Sequence, residues 1–117
     1  MSAAVGIDAA HSQTQSTMNA DTSANYSKAD RELNAAYGRV MTKATPSGRT
    51  RLRTAQRAWL AFRNANCQAM TGSRNGSAYP MLHAMCMTDM TEARTAELTS
   101  QLQCKEGDLS CGGPFEP

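Results

Sequence analysis

Apolar side chains recur along the first half of the chain at steps of three and four. Met18, Tyr26, Ala29, Leu33, Tyr37, Val40 and Met41 make up the stripe, with Lys28, Asp30, Arg31 and Arg39 falling off it. That period predicts an amphipathic first helix, with Thr22 to Asn25 marking where it would bend or break. "TPSGR" at 45–49 joins proline and glycine in a turn signal. The period then restarts with Leu52, Ala55, Trp59, Phe62, Ala65 and Ala69, predicting a second helix that buries this row. "TGSRNGSAY" reads as a loop, and Pro80 sits where the first turn of a helix tolerates a missing amide hydrogen. Leu82, Met85, Cys86, Met90, Ala93, Leu98 and Leu102 carry a third helix to about residue 103.

Three amphipathic helices with short connections predict an all-α fold, a small antiparallel bundle. The expected organisation is a flexible N-terminal segment over 1–12, a helical domain over 13–104 and a C-terminal tail over 105–117. With three glycines and two prolines in "KEGDLSCGGPFEP", the tail cannot stay helical.

The 117 residues allow one small core, and eight methionines against 5% aromatics point to thin, flexible packing on helices. The four cysteines, Cys67, Cys86, Cys104 and Cys111, form no C-x-x-C pair, so disulfides are the natural use of them. Of three connectivities, Cys67 with Cys86 and Cys104 with Cys111 is favoured: one bridge joins the end of a helix to its successor and the other ties down the tail. In the loop-entropy account the first is worth about 3 kcal/mol. Paired cysteines imply an oxidising compartment. The start of the chain shows no secretory signal pattern, which leaves a cytosolic protein or a processed exported one.

A net charge of +2 without a run of basic residues argues against nucleic-acid binding, and no apolar stretch is long enough to predict a membrane span. Soft side chains cluster in "PMLHAMCMTDM", where His83 and Met87, Met81 and Met85, and Cys86 and Met90 stand four apart, as a copper(I) site would ask. Methionine fills gaps in alanine-rich cores and a bridged Cys86 has no thiolate to offer, so no metal and no cofactor is expected. With two histidines and no nucleophile beside a base, nothing supports an enzyme. A polar set spread over the helices, Asp30, Asn34, Gln56, Arg57, Arg63 and Arg94, is expected at the seam between core and solvent as an interhelical network.

Several of these stretches together resemble a known family. "MN" at 18–19, "Y-x-x-A-D-x-E-L-N-x-x-Y" from Tyr26, "L-x-x-A-Q-R-A-W-L-x-F-R-x-x-x-C" from Leu52 to Cys67, "P-M" at 80–81, Cys86, and "T-x-x-R-T-x-E-L" from Thr91 are similar to the LprI-like lysozyme inhibitors. The resemblance covers about residues 14–104. It implies an exported protein of the bacterial envelope, periplasmic or lipid-anchored, that blocks lysozyme. Family members usually carry a cysteine shortly after "MN", where this chain has Asp21, and an earlier partner cysteine is missing too, so no odd thiol remains.

Inhibition needs no catalytic residue. A lysozyme cleft works with two carboxyl groups around a sugar site, and a rigid projection that fills the groove and meets those carboxyls with donors blocks it. The segment "TGSRNGSAYP" is the expected projection, with Arg74, Asn75, Ser77 and Tyr79 offering a cation, an amide, a hydroxyl and an aromatic anchor. The partner is thus expected to be a peptidoglycan hydrolase, with oligomeric state left open. The alternatives are an immunity protein against a competitor's wall-degrading toxin effector and, from another class, a periplasmic Met/His copper-binding protein.

Overall fold

The structure, a computed structural model, describes residues 3–72, 74–105, 108–109 and 112–117, with side chains from Thr14 onward. It is an all-helical bundle of three helices, α1 (Ala3–Lys43), α2 (Pro46–Met70) and α3 (Tyr79–Leu102), followed by a single 3-10 turn, Gly113–Phe115. α2 runs antiparallel to the other two, so the α1–α2 turn, the end of α3 and the tail gather at one end and the α2–α3 loop lies at the other. At about 1.5 Å per residue α1 is far longer than its partners. Its N-terminal turns overhang the loop, and the molecule measures 72 × 23 × 20 Å.

α1 begins at Ala3, inside the segment expected to be flexible, and passes unbroken through Thr22–Asn25. Alanines at 3, 4, 9 and 10 favour the helix, and the Thr22 hydroxyl donates back to the Met18 carbonyl at 2.9 Å instead of competing for a turn. The turn expected over 45–49 is shorter than that signal suggests. Thr45, in extended conformation, caps α2 by accepting from the Gly48 amide at 3.0 Å, and Pro46 occupies the first helical position.

The core sits at the tail end. Leu33, Ala36 and Val40 of α1 close against Leu52 and Leu98, with Tyr37, Met41, Trp59, Leu102 and Phe115 packed around them. The tail reaches this core through the start of α2. The Thr45 amide donates to the Pro114 carbonyl at 3.1 Å, its hydroxyl to the Glu116 carbonyl, and Arg51 Nη2 to Gly113 O at 2.7 Å and Glu116 O at 3.0 Å. Gly48 is buried because the Pro114 carbonyl lies where a β-carbon would be. Hydrogen bonds to the tail's carbonyls, three of the four from side chains, therefore hold it, beyond the bridge expected to tie it down. Cys104 is disulfide-bonded, while Cys111 lies outside the described residues.

The phase of two helices differs from expectation. α2 buries Leu52, Gln56, Arg63 and Cys67 and turns Ala55, Phe62, Ala65 and Ala69 to solvent, with Phe62 60% exposed. α3 buries Ala84, Met87, Thr91 and Leu98, whereas Leu82, Met85 and Ala93 are exposed. In α2 the alanines fix a period but have too little area to decide which face goes in, and Arg63, which reaches Asp30 and Tyr26 of α1, decides it instead.

Candidate partner-binding site

The loop after α2 starts from a staple. Cys67 and Cys86 are bonded with their Cα atoms 5.7 Å apart, a separation of 19 residues that closes the base of the loop. Thr71 caps the end of α2 by donating from its hydroxyl to the Cys67 carbonyl at 2.7 Å. Gly72 then adopts φ +79°, a left-handed turn that favours glycine. On the far side, Asn19 of α1 donates its side-chain amide to the Ser77 carbonyl at 3.2 Å. Disulfide and α1 thus hold the loop at both ends.

Of the four residues expected to meet a partner, Arg74, Asn75 and Ser77 are exposed. Tyr79 is half-buried as the first residue of α3 and stacks on His83, with ring centroids 5.5 Å apart. Tyr79 is therefore a footing for the loop more than its tip. Next to the loop, Met70 is 73% exposed at the end of α2. The loop presents one guanidinium and a set of small polar groups above a rigid base, and such a surface can donate to carboxylates without chemistry of its own.

The polar set is brought together in part. Arg63 is 6% exposed and lies at the centre of it. Its Nη1 donates to Thr91 Oγ1 at 3.2 Å and lies 4.0 Å from Asp30 Oδ1, while Nε and Nη2 both donate to Asn64 Oδ1. The guanidinium also sits 5.5 Å from the Tyr26 ring centroid and 5.3 Å from that of Trp59. Arg94 donates to Gln56 Oε1 at 2.9 Å, pairs with Glu97 at 3.8 Å and lies 5.9 Å from the same Trp59 ring. Asn34 and Arg57, in contrast, are exposed. Thr91 and Asn64 were not in the expected set, although Thr91 falls on the helical row Ala84, Met87, Thr91, Leu98 that could have flagged it.

These contacts join the helices to one another, and of the two arginines only Arg94 also borders an opening. Beside Arg94 an open cleft of about 430 Å³ runs between α3 and the tail, lined among others by Leu52, Leu98, Gln101 and Pro114. Shallow grooves between α1 and α3 are lined by Asn25 and Thr88, whose buried hydroxyl has no partner among the described residues.

At the sulfur-rich start of α3, Met85 is exposed and Met87 is buried, while Met90 Sδ lies 3.7 Å from the Cys67 sulfur of the bridge, so the Cys86 sulfur beside it is already bonded. Among the described residues no group of three His, Cys, Asp or Glu is placed to hold a metal ion, and no helix is long and apolar enough to cross a membrane.

Most of the chain is similar to known proteins. The chain is similar to an uncharacterized protein of Rhizobium meliloti (strain 1021), 31% identical over 107 residues that cover 80% of this chain and 77% of that one. No solved structure matches. The family described as "Lysozyme inhibitor LprI" matches residues 7–98, a span that takes in α2 with its buried Gln56, Arg63 and Cys67 and nearly all of α3. With most of the chain inside that match, the protein belongs to the LprI lysozyme inhibitor family.

Proposed function

We propose that the protein is an exported, non-enzymatic inhibitor of a lysozyme-type peptidoglycan hydrolase. It acts in the periplasm or cell envelope by seating the α2–α3 loop in the enzyme's cleft. The observation that carries this reading is the Cys67–Cys86 bridge at the base of a loop whose tip exposes Arg74. A loop held at both ends loses little conformational freedom on docking, so more of its contact energy appears as affinity. The cleft of such an enzyme carries one ionised carboxylate beside one protonated carboxyl. An arginine fork and the Ser77 hydroxyl supply donors for both without offering a bond to cleave.

Replacing Arg74 and Ser77 together by alanine tests the loop. Inhibition of peptidoglycan hydrolysis is expected to weaken by about tenfold or more, as loss of an interface anchor does. The melting temperature should stay within a few degrees of wild type, because the bridge and the α1 contact remain. Full inhibition by a folded double variant would place the contact surface elsewhere on the molecule.

A further inference from the structure

The net charge of +2 averages over a strong segregation. Eight of the twelve Lys/Arg residues and none of the ten Asp/Glu lie between Leu33 and Thr88. α2 accordingly carries five arginines and no acidic residue. Arg63 is buried, and Arg51 is engaged with the Gly113 and Glu116 carbonyls of the tail. The other three, Arg49, Arg53 and Arg57, are exposed and recur every four residues. They form one ridge with about 6 Å between successive members. Arg49 is steadied by donating to the Met41 carbonyl at 2.9 Å. Arg53 and Arg57 make no hydrogen bond or ion pair with any described residue.

Around the helix from this ridge comes a flat strip, Thr54, Ala58, Ala61 and Ala65, all exposed, and Phe62 stands on its far margin. A helix that lies in a lipid surface sets one apolar stripe between two rows of cations. Here the ridge and the aromatic ring occupy opposite edges of a strip of small residues, and Arg51, on the ring's side, is held by the tail carbonyls. That arrangement suits a protein surface: small side chains allow close approach, an aromatic group anchors one edge, and arginines find carboxylates along the other. A second α2 cannot supply those carboxylates, since like charges would oppose each other across the contact.

We propose that this side of α2 docks on an acidic protein surface. Resting on the inhibitor reading above, the proposal makes the opposed hydrolase one with an acidic rim beside its cleft, in place of the strongly basic surface of animal lysozymes. Attraction between the arginine ridge and that rim speeds encounter and rejects basic enzymes, while the loop fills the cleft.

The test compares inhibition of an acidic bacterial muramidase with that of a basic animal lysozyme, at low and at physiological salt. The wild-type chain is expected to inhibit the acidic enzyme the more strongly, and less so as salt rises. Arg53→Glu with Arg57→Glu is expected to weaken that inhibition by about 100-fold, because like-charge contacts replace opposite ones. Arg53→Gln with Arg57→Gln should fall between, and serves alone if the reversed variant does not melt like wild type. Undiminished inhibition by the folded variants, or stronger inhibition of the basic enzyme, overturns the docking surface while leaving the inhibitor reading intact. Sedimentation showing self-association that these variants abolish overturns it too, by giving the ridge to a second copy. A wild-type chain that inhibits neither enzyme overturns the inhibitor reading, and the target assignment with it.

Discussion

α1 and α2 meet the same neighbour, α3, with opposite materials. The inward face of α1 is Ala29, Leu33, Ala36 and Val40, all nearly inaccessible. That of α2 is Leu52, Gln56, Arg63 and Cys67, of which only the first is an ordinary core residue. The first face is held by removal of apolar surface from water, which is indifferent to small changes of position. The second is held by hydrogen bonds and a disulfide, which work only at fixed distances. An apolar end provides cohesion and a polar middle provides register, so the helix pair that slides most easily is pinned where it is least hydrophobic. The binding loop stands just beyond that middle, fixed by the Cys67–Cys86 bridge.

The largest effect that separates the two kinds of face comes from Arg63. Arg63→Ala removes the group that fills the space between Tyr26 and Trp59 and leaves Thr91 and Asn64 without their donor. Loss of about 3 kcal/mol in urea unfolding is expected, from the cavity and the orphaned acceptors. The ion pair with Asp30 contributes little of it, since that carboxylate is 42% exposed at 4.0 Å. Arg63→Met keeps the volume without the charge and is expected to lose less than about 1 kcal/mol, because it also removes the cost of burying a cation. Equal losses for the two variants would mean that charge, and not filling, holds α2 in place.

A smaller effect belongs to Gln56, whose side-chain oxygen accepts from Arg94 Nε at 2.9 Å. Gln56→Leu preserves bulk and takes away the acceptor. Arg94 retains Glu97 and partial access to water, so a loss of about 1 kcal/mol is expected by thermal or urea unfolding. No change at all would show that solvent replaces the contact and that Arg63 alone sets the register.

How much of this was legible in the sequence follows from the same contrast. In α1, bulky Leu33, Tyr37 and Val40 fixed both the period and the inward side, because burying them outweighs any alternative phase. In α2 the period was legible and the phase was not. Alanines 55, 65 and 69 extend the expected row, yet each methyl contributes too little area to win against a guanidinium with two aromatic rings and two hydrogen-bonding partners waiting. The polar set was partly legible for that reason: Gln56 meets Arg94 and Arg63 meets Asp30, whereas Asn34 and Arg57 are exposed. The tail's seat on Thr45 and Gly48 joins residues about seventy positions apart, which no local pattern reports.

Phe62 offers the smallest effect and the sharpest test of which way α2 faces. It is 60% exposed beside a row of alanines, so Phe62→Ala removes few internal contacts. A change within about 0.5 kcal/mol is expected, as for other surface substitutions. In the opposite phase the ring would lie in the core and its truncation would cost about 3 to 5 kcal/mol, a difference that a single thermal melt resolves. The variant that leaves stability unmoved still has something to report. Should Phe62→Ala melt like wild type while losing affinity for an acidic hydrolase, the ring's exposure is used by a partner. Should it keep both, the outer side of α2 is only solvated, and the Arg63 side carries all that this helix does.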